Sequence, residues 1–265
     1  MNSAASKIIL KSPREIELMR RAGGLVYEIL CEIDSHVRPG VTTAFLNEIA
    51  EGMIRDAGAA ALFKGVVNPQ AKRPFPASIC SSVNEEVVHG IPNERPLLEG
   101  DIVSIDCGVR LDGYCGDAAR TCAVGSVSDR ARDLMAATRT ALDIAIREIR
   151  PGRRWSEIAS QMQKHVEGCG FGVVREFVGH GIGREMHEEP KIPNYHDRSE
   201  RGGDFELAAG MTLAIEPMVT AGGADVKYGD KEGWAVVTKD RSLAAHYEHD
   251  VAVTVSGVTV LSDGS

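Results

Sequence analysis

Two long stretches, Pro13 to Ile33 and Asp129 to Ile149, carry apolar residues at helical spacing. Each is followed by a shorter amphipathic stretch, one containing Glu48-Ile49-Ala50 and the other Glu157-Ile158-Ala159. In the first stretch Ile16, Met19, Val26, Leu30 and Ile33 fall on one face, so that helix is predicted to lie on a core. Its start is marked by Ser12 as a cap, Pro13 at the first helical position and Glu15 to complete a capping box. Arg38-Pro39-Gly40 joins the members of the first helix pair and Arg150-Pro151-Gly152 those of the second. After each pair the period changes, and apolar runs bounded by turn residues predict strands. Both strand regions contain His-Gly-Ile, at His89 and at His180. In both, a turn glycine feeds an apolar strand that is expected to end in a carboxylate: Gly100 through Ile105 to Asp106, and Gly210 through Ile215 to Glu216.

These parallels describe an internal repeat. Asp106 and Glu216 are 110 residues apart, close to the 112 that separate Arg38 from Arg150. The expected fold is therefore α/β: two pseudo-symmetric halves, about 12–125 and 126–262, sharing a curved antiparallel sheet covered by helices. Residues 12–265 form one domain in this reading, and 1–11 a short extension.

The stretch Ile102 to Val124 can be treated geometrically, because Asp112-Gly113 is a strong two-residue hairpin signal. Pairing Leu111 with Tyr114 brings Asp106 opposite Ala119 and puts Asp117 on the same face, diagonal to Asp106. Hairpin aspartates usually face solvent. Here Val103, Ile105, Cys107 and Val109 occupy the other face, so both faces of the strand need cover and a solvated surface is a poor account of the aspartates. Glu216 ends a mostly apolar strand, and Glu248 stands just before Val251-Ala252-Val253. Buried together, four carboxylates would repel one another and take up protons. Two divalent cations would cancel their charge, whereas one would leave a net negative pocket.

Of the histidines, His36 and His165 fall on predicted helices and His196 in a polar loop, and all three are expected at the surface. His180 lies between Gly179 and Gly181, where the backbone can approach a ligand, and His187 follows seven residues later. An oxygen-rich site with one imidazole suits manganese, iron, cobalt or zinc better than magnesium or calcium.

The chain is 43% hydrophobic and 26% charged, within the globular range, and its formal net charge of -8 argues against a nucleic-acid substrate. No window approaches a membrane span, Met1 to Leu10 is a poor signal peptide, and the six cysteines never form Cys-x-x-Cys. A cytoplasmic protein with reduced thiols is expected.

The segments Val88-His89-Gly90-Ile91-Pro92, Ile105-Asp106 through Gly116-Asp117, Gly179-His180-Gly181-Ile182-Gly183, Met186-His187-Glu188-Glu189-Pro190, Ile215-Glu216-Pro217-Met218 and Tyr247-Glu248-His249 closely resemble the motifs of type I methionine aminopeptidases. The resemblance runs from about Ser12 to Leu261 and implies the pita-bread fold of that family. It implies two metal ions, with Asp117 and Glu248 bridging, Asp106 completing one ion and His180 with Glu216 the other. It further implies Glu216 as proton shuttle, His187 as stabiliser of the tetrahedral intermediate and His89 as a contact to the scissile amide. Phe75, Cys80, Met186 and Trp234 would form the methionine pocket. The substrates would be N-termini of nascent polypeptides at the ribosome, and the enzyme a monomer. Two features depart from the family pattern: Phe63 to Phe75 is longer than the usual pocket loop, and Met186 stands where an aromatic residue is expected. A proline-specific peptidase on the same fold would share the five metal ligands but usually carries an additional N-terminal domain. A binding protein that had lost catalysis would be expected to lack ligands, and none is missing.

Overall fold

The computed structural model of the chain describes residues 8–196, 204–229 and 231–265. The first half begins with α1 (Pro13–His36) and α2 (Thr43–Asp56), followed by β1 (Ala60–Ala61), β2 (Ile79–Val83), β3 (Glu86–Val88), β4 (Ile102–Leu111) and β5 (Tyr114–Ala123). The second repeats the plan with α3 (Asp129–Glu148) and α4 (Trp155–Gly168), then β6 (Gly172–Val173), β7 (Gly179–Gly181), β8 (Glu188–Ile192), β9 (Thr212–Ile215) and β10 (Met218–Thr220). The chain closes with β11 (Val226–Tyr228), β12 (Val236–Thr238), β13 (Ala244–His246), β14 (Glu248–Thr254) and β15 (Gly257–Val260).

The helix signals act as expected. Ser12 caps α1, its side chain accepting from Glu15 N–H while Glu15 reaches back to Ser12 N–H, and Met19, Val26, Leu30 and Ile33 are buried. The repeat is legible in the backbone. Gly40 N–H donates to Leu97 O at 2.8 Å and Gly152 N–H to Leu207 O at 2.8 Å. Gly100 and Gly210 both have φ of 92° and donate to Val124 O and Val253 O. Each half also has its own apolar core, one built around Val26, Leu46 and Ile105, the other around Leu134, Trp155 and Ile215.

The halves meet in one nine-stranded sheet of order β1-β4-β5-β14-β9-β7-β8, with β2 also on β4 and β15 on β14, and all its pairings are antiparallel. Smaller sheets, β13-β10-β6 and β11-β12-β3, lie beside it. Val103, Ile105, Cys107 and Val109 pack into the helix-side core, as the hairpin alternation predicted. One expectation needs correction: Asp106 does not end its strand. The tight turn at Asp112-Gly113 extends β4 to Leu111, which leaves Asp106 in mid-strand.

The 1–11 segment lies outside the described residues up to position 7. Lys11 itself is attached to the fold, its N–H donating to Gly210 O and its ammonium pairing with Glu188. His36 and His165 also differ from expectation. Both are half-buried, because His36 packs edge-on to Phe45 and its Nδ1–H donates to Glu32 O, while His165 lies on the flank of α4. His196 is exposed as expected.

Helix α1 sits very close to β5. A Cβ on Gly116 would stand 2.5 Å from Ala22 C and Gly23 N, both backbone atoms that can yield only if the helix moves. Gly116→Ala should therefore destabilise the protein by about 1–3 kcal/mol, the usual cost of overpacking. Chemical denaturation measures this, and an unchanged midpoint would show that the contact is not tight in solution.

Candidate metal centre

Five strands that are consecutive neighbours in the large sheet converge on one spot. In the order β4, β5, β14, β9 and β7 they carry Asp106, Asp117, Glu248, Glu216 just past the strand end, and His180. The register brings them together. Ala119 pairs with Asp106 on one side and with Glu248 on the other, and Asp117 lies two residues away on the same face. His249 pairs with Ile215, so continuing the register one step sets Glu248 against Glu216, while His180 pairs with Ala214. Gly181 allows β7 its approach, since a Cβ there would meet Glu189 O at 2.3 Å.

All eleven residues singled out from the sequence line a single cavity of about 180 Å³. It holds the five potential ligands, His89 and His187 at its edge, and Phe75, Cys80, Met186 and Trp234 along its apolar side. Phe63 and Val66 line it too, and sequence reasoning missed both as pocket residues, having noted only the length of their loop. His246 was also missed. It is 2% exposed, and its Nε2 stands 3.6 Å from Glu216 Oε2 and 4.0 Å from Glu248 Oε2. Its sequence position next to Glu248 gave no register, because His246 ends β13 and Glu248 opens β14, strands of two different sheets.

The local supports are specific. His180 Nδ1 donates to Gly181 O at 3.0 Å, which leaves Nε2 as the lone pair facing Glu216 Oε1 at 3.6 Å. Asp117 N–H donates to the buried Asp250 carboxylate at 2.7 Å. His187 stacks edge-on against His180 with ring centres 4.4 Å apart. Its loop is tied down by Glu188, which accepts from Arg184 N–H and Glu185 N–H and pairs with Lys11. His89 occupies the left-handed region at φ 61°, a strain of order 1–3 kcal/mol, with its ring edge-on to Phe177.

Electrostatically the cluster is unbalanced by itself. Burial pushes the Asp106 carboxyl up to about 7 and that of Glu216 up to about 8. Asp117 and Glu248 are pushed well above the ordinary range, by burial first and then by the neighbouring carboxylates. Burial lowers His89 and His180 to about 4. Asp106 Oδ1, Asp117 Oδ1 and His246 Nε2 are buried without hydrogen-bond partners. Donor atoms of Asp117, His180 and Glu248 lie within 4.8 Å of one another, as do those of Glu216, His246 and Glu248. Unpartnered oxygens and imidazole nitrogens at such spacing fit divalent cations, which supply the missing positive charge.

Fold and site define the class: an α/β pita-bread protein whose central sheet carries a buried carboxylate–imidazole centre for divalent metal. The family model of metallopeptidase family M24 matches residues 17–255, and the chain belongs to that family, whose members use divalent metals. It is 48% identical over 256 residues to a methionine aminopeptidase of Clostridium acetobutylicum, covering 96% of this chain and 98% of that protein. With methionine aminopeptidase 1 of Bacillus subtilis the identity is 45% over 255 residues, covering 96% and 99%. Among solved structures, methionine aminopeptidase from Rickettsia prowazekii superposes with a TM-score of 0.90 at 38% identity, over 97% of this chain and 100% of that one. An Xaa-Pro dipeptidase from Bacillus anthracis shares the fold, with a TM-score of 0.72 at 24% identity, and this chain covers 62% of it.

The raised carboxyl groups give a pH signature. The folded values of Asp106 and Glu216, about 7 and about 8, lie above the ordinary 3.8 and 4.5, so the folded state holds their protons more tightly than the unfolded chain. Their stabilising contribution is full below the ordinary values and is lost as pH rises through about 7 to 8. Metal-free protein should thus lose melting temperature as pH rises from about 6.5 to about 8, above the range in which the unfolded chain protonates the buried imidazoles, while added divalent metal restores it and releases protons. Scanning calorimetry across pH decides this, and a metal-free protein that gains stability over the range contradicts it.

Proposed function

We propose that this chain is a methionine aminopeptidase that removes the initiator methionine from polypeptides whose second residue is small. The carrying observation is the continuity between the acidic centre and an apolar pocket. Phe63, Phe75, Cys80 and Trp234 are all buried around the cavity that the carboxylates also line, with Met186 packed against them. Such a wall suits an unbranched thioether, which gains contacts of about 0.3–1.5 kcal/mol with aromatic rings. Phe75 and Trp234 meet edge-on at 5.1 Å, and Trp234 Nε1–H donates to Arg73 O, so the wall is fixed from behind.

In this reading Asp106, Asp117, His180, Glu216 and Glu248 hold two divalent ions. When bound, the ions acidify water and polarise the first peptide carbonyl. Glu216 holds and passes the proton. His187, exposed on the cavity's edge, donates to the developing oxyanion, and His89 contacts the scissile amide. The ions are manganese, iron, cobalt or zinc. The substrates are nascent N-termini at the ribosome, and the protein acts as a cytoplasmic monomer. Among the described residues no helix is long and apolar enough to cross a membrane.

A peptide panel separates this from proline-specific cleavage. After chelation and reloading with each metal, Met-Ala-Ser should be cleaved, Met-Lys-Ser essentially not, and Ala-Pro-Ser not. Equal rates on the first two, or preference for the third, would remove the reading.

His187→Ala should lower the catalytic rate by about 10²–10³-fold, the range for losing one oxyanion donor, with metal content near wild type. Asp117→Asn should instead empty at least one ion site. Metal analysis beside initial rates checks both, and a metal-depleted His187→Ala with a fully loaded Asp117→Asn would reverse the assignment.

A further inference from the structure

His246 enters neither the expected ligand set nor the steps above, yet it is the most deeply buried imidazole facing the carboxylates. Its backbone is locked. Thr121 Oγ1 accepts His246 N–H at 2.9 Å and donates to His246 O at 2.9 Å, and Ser104 Oγ lies 2.8 Å from the same hydroxyl. Strand β13 pairs with β10 through Met218 and His246, so the residue is held from two sides. With the main chain fixed, the ring is aimed between Glu216 and Glu248.

The separations are informative. Nε2 lies 3.6 Å from Glu216 Oε2 and 4.0 Å from Glu248 Oε2, too long for good hydrogen bonds. Donors each at about 2.0–2.2 Å from one ion, the usual range for nitrogen and oxygen, stand roughly 3.0–3.4 Å apart according to its coordination number, and binding would draw these side chains slightly together. The His180 Nε2 to Glu216 Oε1 distance is likewise 3.6 Å. Glu216 therefore has an imidazole nitrogen at the same distance from each carboxylate oxygen. His246 Nε2 has no hydrogen-bond partner, an expensive state for a buried polar atom unless something else occupies its lone pair.

We propose that His246 is a sixth protein ligand of the centre, binding through Nε2 the ion shared with Glu216 and Glu248. This rests on the reading of the site as a metal centre and is independent of the substrate. A second imidazole makes the donor set softer, which favours iron, cobalt or zinc over manganese.

Proton NMR of the cobalt(II)-loaded wild-type protein counts ligated imidazoles without any substitution. Two paramagnetically shifted, solvent-exchangeable ring N–H resonances are expected, and a single one overturns the proposal. In His246→Gln one of the two should vanish. Titration of chelated His246→Gln with cobalt(II) should show one ion weakened by at least about tenfold, as for losses around metal ligands. Unchanged affinity for both ions, even with slowed hydrolysis, would assign His246 to hydrogen bonding and overturn ligation. Circular dichroism of the chelated variant checks that it is folded, and the wild-type spectrum stands whatever the variant does. Wild-type protein that shows two imidazole signals but does not cleave Met-Ala-Ser would sink the substrate reading alone.

Discussion

Four carboxylates crowded into one cavity are the constraint on which the rest of this structure depends. Asp106, Asp117, Glu216 and Glu248 line the same space, and burial first, with mutual repulsion added for three of them, pushes each toward its neutral form. A flexible loop would relieve the repulsion by letting the groups part. Strands cannot, because Asp106, Asp117 and Glu248 lie within paired strands and Glu216 directly follows β9. The sheet therefore holds the side chains where divalent cations become the favoured solution, and the metal requirement follows from backbone geometry.

The duplicated architecture provides that rigidity economically. Each half brings a helix pair, its own apolar core and two of the four carboxylates, and the halves join where β5 meets β14. The centre sits across this seam. Neither half holds a complete set of donors, so assembly of the centre and docking of the halves depend on each other. Asp250 links the two directly, since a β14 carboxylate accepts the N–H of Asp117 on β5.

In the proposed reading, recognition falls to different parts of the chain. The apolar wall comes mostly from the long segment holding Phe63, Val66 and Phe75 and from Trp234 in the β11–β12 connection. These segments brace one another: Lys72 N–H donates to Glu232 O, and Arg73 pairs with Glu232. Such loops can change length without disturbing the sheet, which separates choice of substrate from the chemistry.

Local physics made much of this legible in the sequence. Capping at Ser12, helical spacing in α1, the Asp112-Gly113 turn and the period of two through β4 and β5 depend on neighbours a few residues apart, so they can be read directly, and the hairpin register followed to the residue. The repeat then exposed the pairing of halves, because two similar segments must solve the same burial problem. The family motifs then supplied roles for His180, His187 and Glu248, which the residue pattern had already singled out. Other features depended on which strands became neighbours. That β14 lies between β5 and β9, that His246 faces Glu216, and that Phe63 and Val66 turn into the cavity are outcomes of long-range pairing. A residue's chemistry is written at its own position, but its pKa, its partners and its access to an ion are set by whatever the fold brings from far along the chain.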